Sequence, residues 1–172
     1  MASGKRYVLN GSNMTLVGAG GLVLAGFQTA AEGNAASTVR LTRIGISQTG
    51  STTLEMVRAA ISMRDTAGTL TLVSQAPNPT APIGGAVSGL AGNTNIIGGA
   101  GRSGINSSAD SLGTYTDLDT SISFANLNGG LWKPDPKEEI EIPPQKVIVV
   151  RFLAAPTGLT GWNIALYLEE LG

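Results

Sequence analysis

The last segment of the chain, residues 162–169, alternates cleanly between apolar and polar positions. Trp162, Ile164, Leu166 and Leu168 fall on one parity, and Asn163, Ala165, Tyr167 and Glu169 on the other. A period of two predicts a strand with one buried face. Residues 138–142 repeat the pattern, with Ile140 and Ile142 between Glu139 and Glu141. Residues 146–153 hold the apolar run Val147–Val150 and predict a strand covered on both faces. Prolines and glycines punctuate these segments, and the three together predict a β-meander.

The same reading applied upstream predicts strands at 5–9, 22–29, 38–48, 69–74 and 117–125. Asn10-Gly11 predicts a tight turn after the first strand, with residues 13–17 returning. In 38–48, Val39 and Leu41 share one parity and Ile44 and Ile46 the other. This switch predicts a β-bulge near Thr42 and Arg43. Residues 54–65 admit two readings. Thr52 and Glu55 have capping-box spacing, and Leu54, Val57 and Ile61 fit a helical stripe. The alternation of Val57, Ala59, Ile61 and Met63 inward against Met56, Arg58, Ser62 and Arg64 outward favours a strand. Asn128-Gly129-Gly130 predicts a turn before Leu131-Trp132 and the stiff connector Lys133-Pro134-Asp135-Pro136.

Residues 75–113 break the pattern. Pro77, Pro79 and Pro82 argue against regular structure, glycines abound, and Arg102 is the sole charge between Thr66 and Ala109. This predicts a long Gly/Pro-rich insertion between two strands. With about eight to ten strands and no secure helix, the expected fold is all-β: an antiparallel β-sandwich of the jelly-roll kind. Residues 1–37 form an N-terminal arm and first strands, and 38–172 the sandwich with its insertion.

Composition narrows the chemistry. The 172 residues hold 11 basic and 12 acidic side chains, a formal net charge of −1, and charged residues are only 13%. No basic footprint for nucleic acid is present. Histidine and cysteine are absent, which removes Ser-His and Cys nucleophile systems, disulfides and the usual ligands of zinc and haem. The run from Leu16 to Phe27 is broken by Gly18, Gly20, Gly21 and Gly26, unlike a signal-peptide core, and no stretch has the length of a membrane span. Gly18-Ala19-Gly20-Gly21 lacks the third glycine of a dinucleotide loop, since Val23 stands there. Asp110, Asp117 and Asp119 lack calcium-loop spacing. Glu138, Glu139 and Glu141 read as a solvated arm rather than a catalytic pair. The expected protein is not an enzyme and takes no cofactor.

The segments TVRLTRIGISQTG and LEMVRAAISMRD, the Gly/Pro-rich insertion and the closing EEIEIPPQKVIVVRFLAAPTGLTGWNIALYLEE resemble those of the β-sandwich decoration, or cement, proteins on the heads of tailed bacteriophages. The resemblance covers residues 38–172. It implies a structural virion protein on the outer face of the capsid, a homotrimer whose partner is the major capsid protein. Nucleic acid and membrane are not expected partners. The candidate interface comprises Trp132, beside prolines, and Ile96, Ile97, Arg102 and Ile105 of the insertion. Two other readings remain open: a head fibre or spike domain binding host carbohydrate, which needs exposed aromatics in a groove, and a jelly-roll subunit that builds the shell itself.

Overall fold

A computed structural model describes residues 5–16, 23–28, 38–64, 70–74, 78–79, 103–110, 115–142 and 146–171. These hold twelve strands and no helix. In chain order they are β1 (Lys5–Met14), β2 (Val23–Gln28), β3 (Thr38–Gln48), β4 (Met56–Arg64), β5 (Leu70–Ser74) and β6 (Asn78–Pro79). Then come β7 (Ser103–Asp110), β8 (Tyr115–Ala125), β9 (Gly130–Trp132), β10 (Ile140–Ile142), β11 (Val147–Phe152) and β12 (Trp162–Leu171).

The strands form two six-stranded antiparallel sheets. The first runs β10-β3-β12-β1-β6, with β9 also paired to β3; the second runs β5-β7-β2-β11-β4-β8. One continuous core lies between them. The first sheet supplies Leu9, Val39, Leu41, Ile44, Ile46, Trp162, Ile164, Leu166 and Leu168, and the second Leu24, Val57, Ala59, Ile61, Ile122, Phe124, Ile148, Val150 and Phe152. The protein is a β-sandwich, as the period-two pattern predicts.

Local chemistry accounts for the details. In β3 the register against β12 skips Thr42, so Tyr167 faces Arg43 and Leu168 faces Leu41. The bulge lets Val39 and Leu41 on one side and Ile44 and Ile46 on the other all reach the core. In β12 all four predicted inward residues are buried, with Trp162 fully enclosed. Phe152 packs on its ring at 4.6 Å and 61°, and Phe124 at 6.4 Å and 79°, both edge arrangements. Within the 54–65 segment, Met56–Arg64 is a strand: Val57, Ala59 and Ile61 are buried and Met63 packs against the core. Glu55 does not close a capping box with Thr52. Its carboxylate accepts the Thr157 N–H at 2.9 Å. Val149, on the outer parity of β11, is fully buried, as the run 147–150 predicts.

Four expectations are corrected. Residues 138–169 do not form a meander: β10 pairs with β3, β11 with β2 and β4, and β12 with β1 and β3. The chain changes sheet after β10 and again after β11, so these apolar faces meet across one core instead of lying side by side. The Asn10-Gly11 turn does not form either. The β1 strand runs through both residues, which pair with Ala165 and Ile164. Its irregularity comes later, where Asn13 takes φ 50° and its N–H bonds to Asn163 Oδ1 at 3.0 Å. The 138–142 strand begins only at Ile140; before it a turn closes with the Glu138 N–H on Asp135 O at 2.8 Å. Ser62, expected outward, is buried, because its hydroxyl is enclosed by Asp117 and Arg151.

The 75–113 stretch contributes to both sheets. The β6 pair Asn78–Pro79 is added beside β1, where an edge position tolerates a proline without a ladder donor. The β7 strand lies between β2 and β5, pairing Ile105 with Ala25 and Val73. The insertion thus carries a strand of its own at 103–110, although its prolines argued against regular structure. Residues 1–37, expected as an arm and first strands, hold β1 and β2, each flanked by two strands.

Candidate functional site

One end of the sandwich is built around two buried side-chain amides, Gln48 and Asn126, which are 5% and 1% exposed. Asn126 Nδ2 donates to Gln48 Oε1 at 2.7 Å and to Thr53 O at 2.9 Å. Its Oδ1 accepts the Glu55 N–H at 3.0 Å. Gln48 Nε2 donates to Gly158 O and Thr160 O at 3.1 and 2.9 Å. Three loops that carry few apolar anchors are thereby tied to one node: 49–55, 126–129 and 153–161. Two further contacts fix the last of these. Trp162 Nε1 donates to Gly158 O at 2.8 Å, and the Thr49 N–H donates to Gly161 O at 2.8 Å. Gly161 sits at φ 78°, and a Cβ there would lie 2.0 Å from Thr49 O, so glycine is required.

This rigid end holds large apolar side chains out in solvent. Leu54 is 66% exposed, Met56 73%, Leu127 44% and Leu153 37%. Their segments are joined by backbone hydrogen bonds, and a fifth exposed side chain, Leu131 at 59%, stands on β9. Met56 stands opposite Ala125 in the β4–β8 ladder, and the Asn126 N–H bonds to Glu55 O at 3.1 Å, which brings the loops bearing Leu54 and Leu127 together. The Leu153 N–H donates to Arg58 O at 3.1 Å, placing Leu153 beside Arg58, two positions along β4 from Met56. Scattered apolar residues are ordinary on a surface; four on adjoining backbone form a patch.

On the outer face of the second sheet, Asp117 is held by the Ser62 hydroxyl at 2.5 Å and by Arg151 Nη2 at 2.8 Å. Arg151 Nε also donates to Ser62 Oγ at 3.0 Å, and its guanidinium lies 4.7 Å from the Tyr115 ring centroid. The Ser62 hydrogen bond, followed by Arg151, lowers the Asp117 pKa, against an opposing effect of burial. A lowered folded-state pKa adds stability above the unfolded value, which is lost as pH falls through the folded one. The difference in unfolding midpoint between the native chain and Asp117→Asn is therefore expected to shrink as pH falls from about 5 to about 2. Urea titrations at a series of pH values check this; a difference independent of pH contradicts it.

The outer face of the first sheet carries a groove of about 680 Å³. Its floor includes Arg6, Arg43, Tyr167 and Glu169, and its wall is the 133–136 connector with Glu139. Beside it Arg40 gathers three carboxylates: Glu141 at 2.7 Å, Glu139 at 3.4 Å and Glu169 at 3.9 Å. The hydrogen bond to Glu141, with all three charges, raises the Arg40 pKa. Glu139 and Glu141 thus serve as partners of an arginine, and Glu138 lies in the turn before them.

Of the candidate interface residues, Trp132 is half-buried in β9 opposite Ile44 and packs against the core. Ile105 lies within β7. Ile96, Ile97 and Arg102 fall outside the described residues. Of the two described residues of this set, Trp132 belongs to the first sheet and Ile105 to the second. The patch of Leu54, Met56, Leu127 and Leu153 was missed by the sequence reading, and the one available signal was Met56 on the polar parity of its strand. No protein family, curated protein or solved structure matches the chain.

Proposed function

We propose that this chain is a structural virion protein that binds the outer surface of a phage capsid and stabilises it without catalysis. The observation that carries the reading is the exposed apolar patch on its hydrogen-bonded platform. Apolar side chains held in water by a rigid frame gain free energy when a partner covers them, about 1.5–3 kcal/mol for a fully buried leucine or methionine. Individually weak contacts of that size suffice on a repeating lattice, where avidity multiplies them. The strand order supports a jelly roll. The pairs β1–β12, β2–β11 and β3–β10 nest one inside the next, as in a folded antiparallel ribbon. In that arrangement β5, β6 and β7 belong to the connection between β4 and β8 and widen both sheets. Self-association as a trimer belongs to the same proposal, on the strength of the resemblance.

The test is co-sedimentation with capsids of the genome that encodes the chain. The native chain is expected to pellet with them. A Leu54→Asp, Met56→Asp double variant is expected to remain in the supernatant while its circular dichroism and unfolding midpoint stay near native, because both side chains already face water. Failure of the native chain to pellet counts against capsid binding. Binding by the double variant moves the contact elsewhere, with deletion of residues 80–102 as the next variant to examine.

A further inference from the structure

We propose that the groove on the outer face of the first sheet is a binding site for a neutral saccharide. The inference is independent of capsid binding, and three observations lead to it. First, the bulge at Thr42 lies on the floor of this groove. It keeps the core residues of β3 inward while Thr42 and Arg43 both line the groove, and bulges commonly re-aim side chains at functional surfaces. The Thr42 hydroxyl then donates to Tyr167 O at 3.2 Å, and the Arg43 guanidinium stands 4.7 Å from the Tyr167 ring centroid. Second, the opposite wall is stiff. Pro134 and Pro136 flank Asp135, and the turn after them closes on Asp135 O. A volume of about 680 Å³ between two fixed walls suits a small ligand.

Third, the charges select the ligand class. Three cations, Arg6, Arg43 and Lys133, face three carboxylates, Asp135, Glu139 and Glu169. The balance disfavours a polyanion, and so many charged groups disfavour an apolar ligand. An extended peptide added edge-on is disfavoured, since β12 is flanked on both sides and, between its ladders to β10 and β9, β3 lacks a strand partner only at Thr42 and Arg43, too short a row for a strand. Hydroxyl groups suit the site because each donates to a carboxylate and accepts from a cation. The two prolines supply apolar surface for the C–H face of a sugar ring, beside the Tyr167 ring that the Arg43 guanidinium covers.

The experiment is a nuclear magnetic resonance titration of the full ¹⁵N-labelled chain with maltose, cellobiose, mannobiose and chitobiose at millimolar concentration. Sialyllactose and a proline-rich peptide serve as acidic and peptide comparisons. At least one neutral disaccharide is expected to shift the amide signals of Thr42, Arg43, Tyr167 and Glu169. Arg43→Ala and Asp135→Asn, both at exposed side chains, are each expected to weaken that binding about tenfold or more with the unfolding midpoint unchanged, as loss of a charged hydrogen bond does. The proposal is overturned if no neutral disaccharide shifts these signals, if only sialyllactose or the peptide does, or if both variants bind as the native chain does.

Discussion

Trp162→Ala is expected to destabilise the protein by about 3–5 kcal/mol, the cost of emptying a large aromatic site in a closed core. The indole is completely buried and wedged between Phe152 and Phe124, which come from β11 and β8 of the facing sheet. Its loss opens a void at the crossing of both layers, and neither neighbouring ring can fill it without leaving its own packing. For a chain of this size the melting temperature should fall by roughly 6–20 °C. Trp162→Phe keeps most of the apolar volume and loses the indole N–H. Gly158 O still accepts from Gln48 Nε2, so no buried carbonyl is orphaned and the expected cost is smaller, about 1–2 kcal/mol. Urea unfolding of the two variants tests the ordering; an alanine variant no worse than the phenylalanine one would count against Trp162 as the link between the sheets.

Asn126→Ala is expected to cost about 3 kcal/mol by a different route. Removal of the side chain strips partners from the Glu55 N–H, Thr53 O and Gln48 Oε1. A buried polar group left without a partner costs roughly 1–3 kcal/mol, and the contributions of one network are not additive. The loss also loosens the loops that present Leu54 and Leu127, so a second readout follows. Amide hydrogen exchange should rise across 49–55 and 126–129 and stay near native in β12, which is held by its ladders to β1 and β3. A uniform rise across the whole chain would mean that the node stabilises the fold globally and does not act as a local clamp.

The features visible in the sequence are those that periodicity carries. The parity break at Thr42 and the alternation of Trp162, Ile164, Leu166 and Leu168 are local statements about which side of a strand faces the core, and one buried face enforces them. The strand at 56–64 was readable for the same reason, although Thr52 and Glu55 imitated a helix start. What escaped was set by partners distant in the chain. Asn10-Gly11 looks like a hairpin turn until β12 is present to pair with both residues. The 138–169 meander looks natural until three strands must serve one core from two sides. Gln48 and Asn126 sit 78 positions apart, in stretches rich in Ser, Thr and Gly, and nothing local marks them as buried. The groove is less legible still, since its residues come from β1, β3, the 133–139 connector and β12.

Binding to the outside of a shell is the centre of the account, and cryo-electron microscopy of capsids assembled with and without this chain tests it most directly. Extra density is expected on the outer surface, shaped as a two-layered β-sandwich, with the end that carries Leu54, Met56, Leu127 and Leu153 turned toward the shell. Density inside the particle, density forming the continuous shell floor, or particles identical with and without the chain would contradict it.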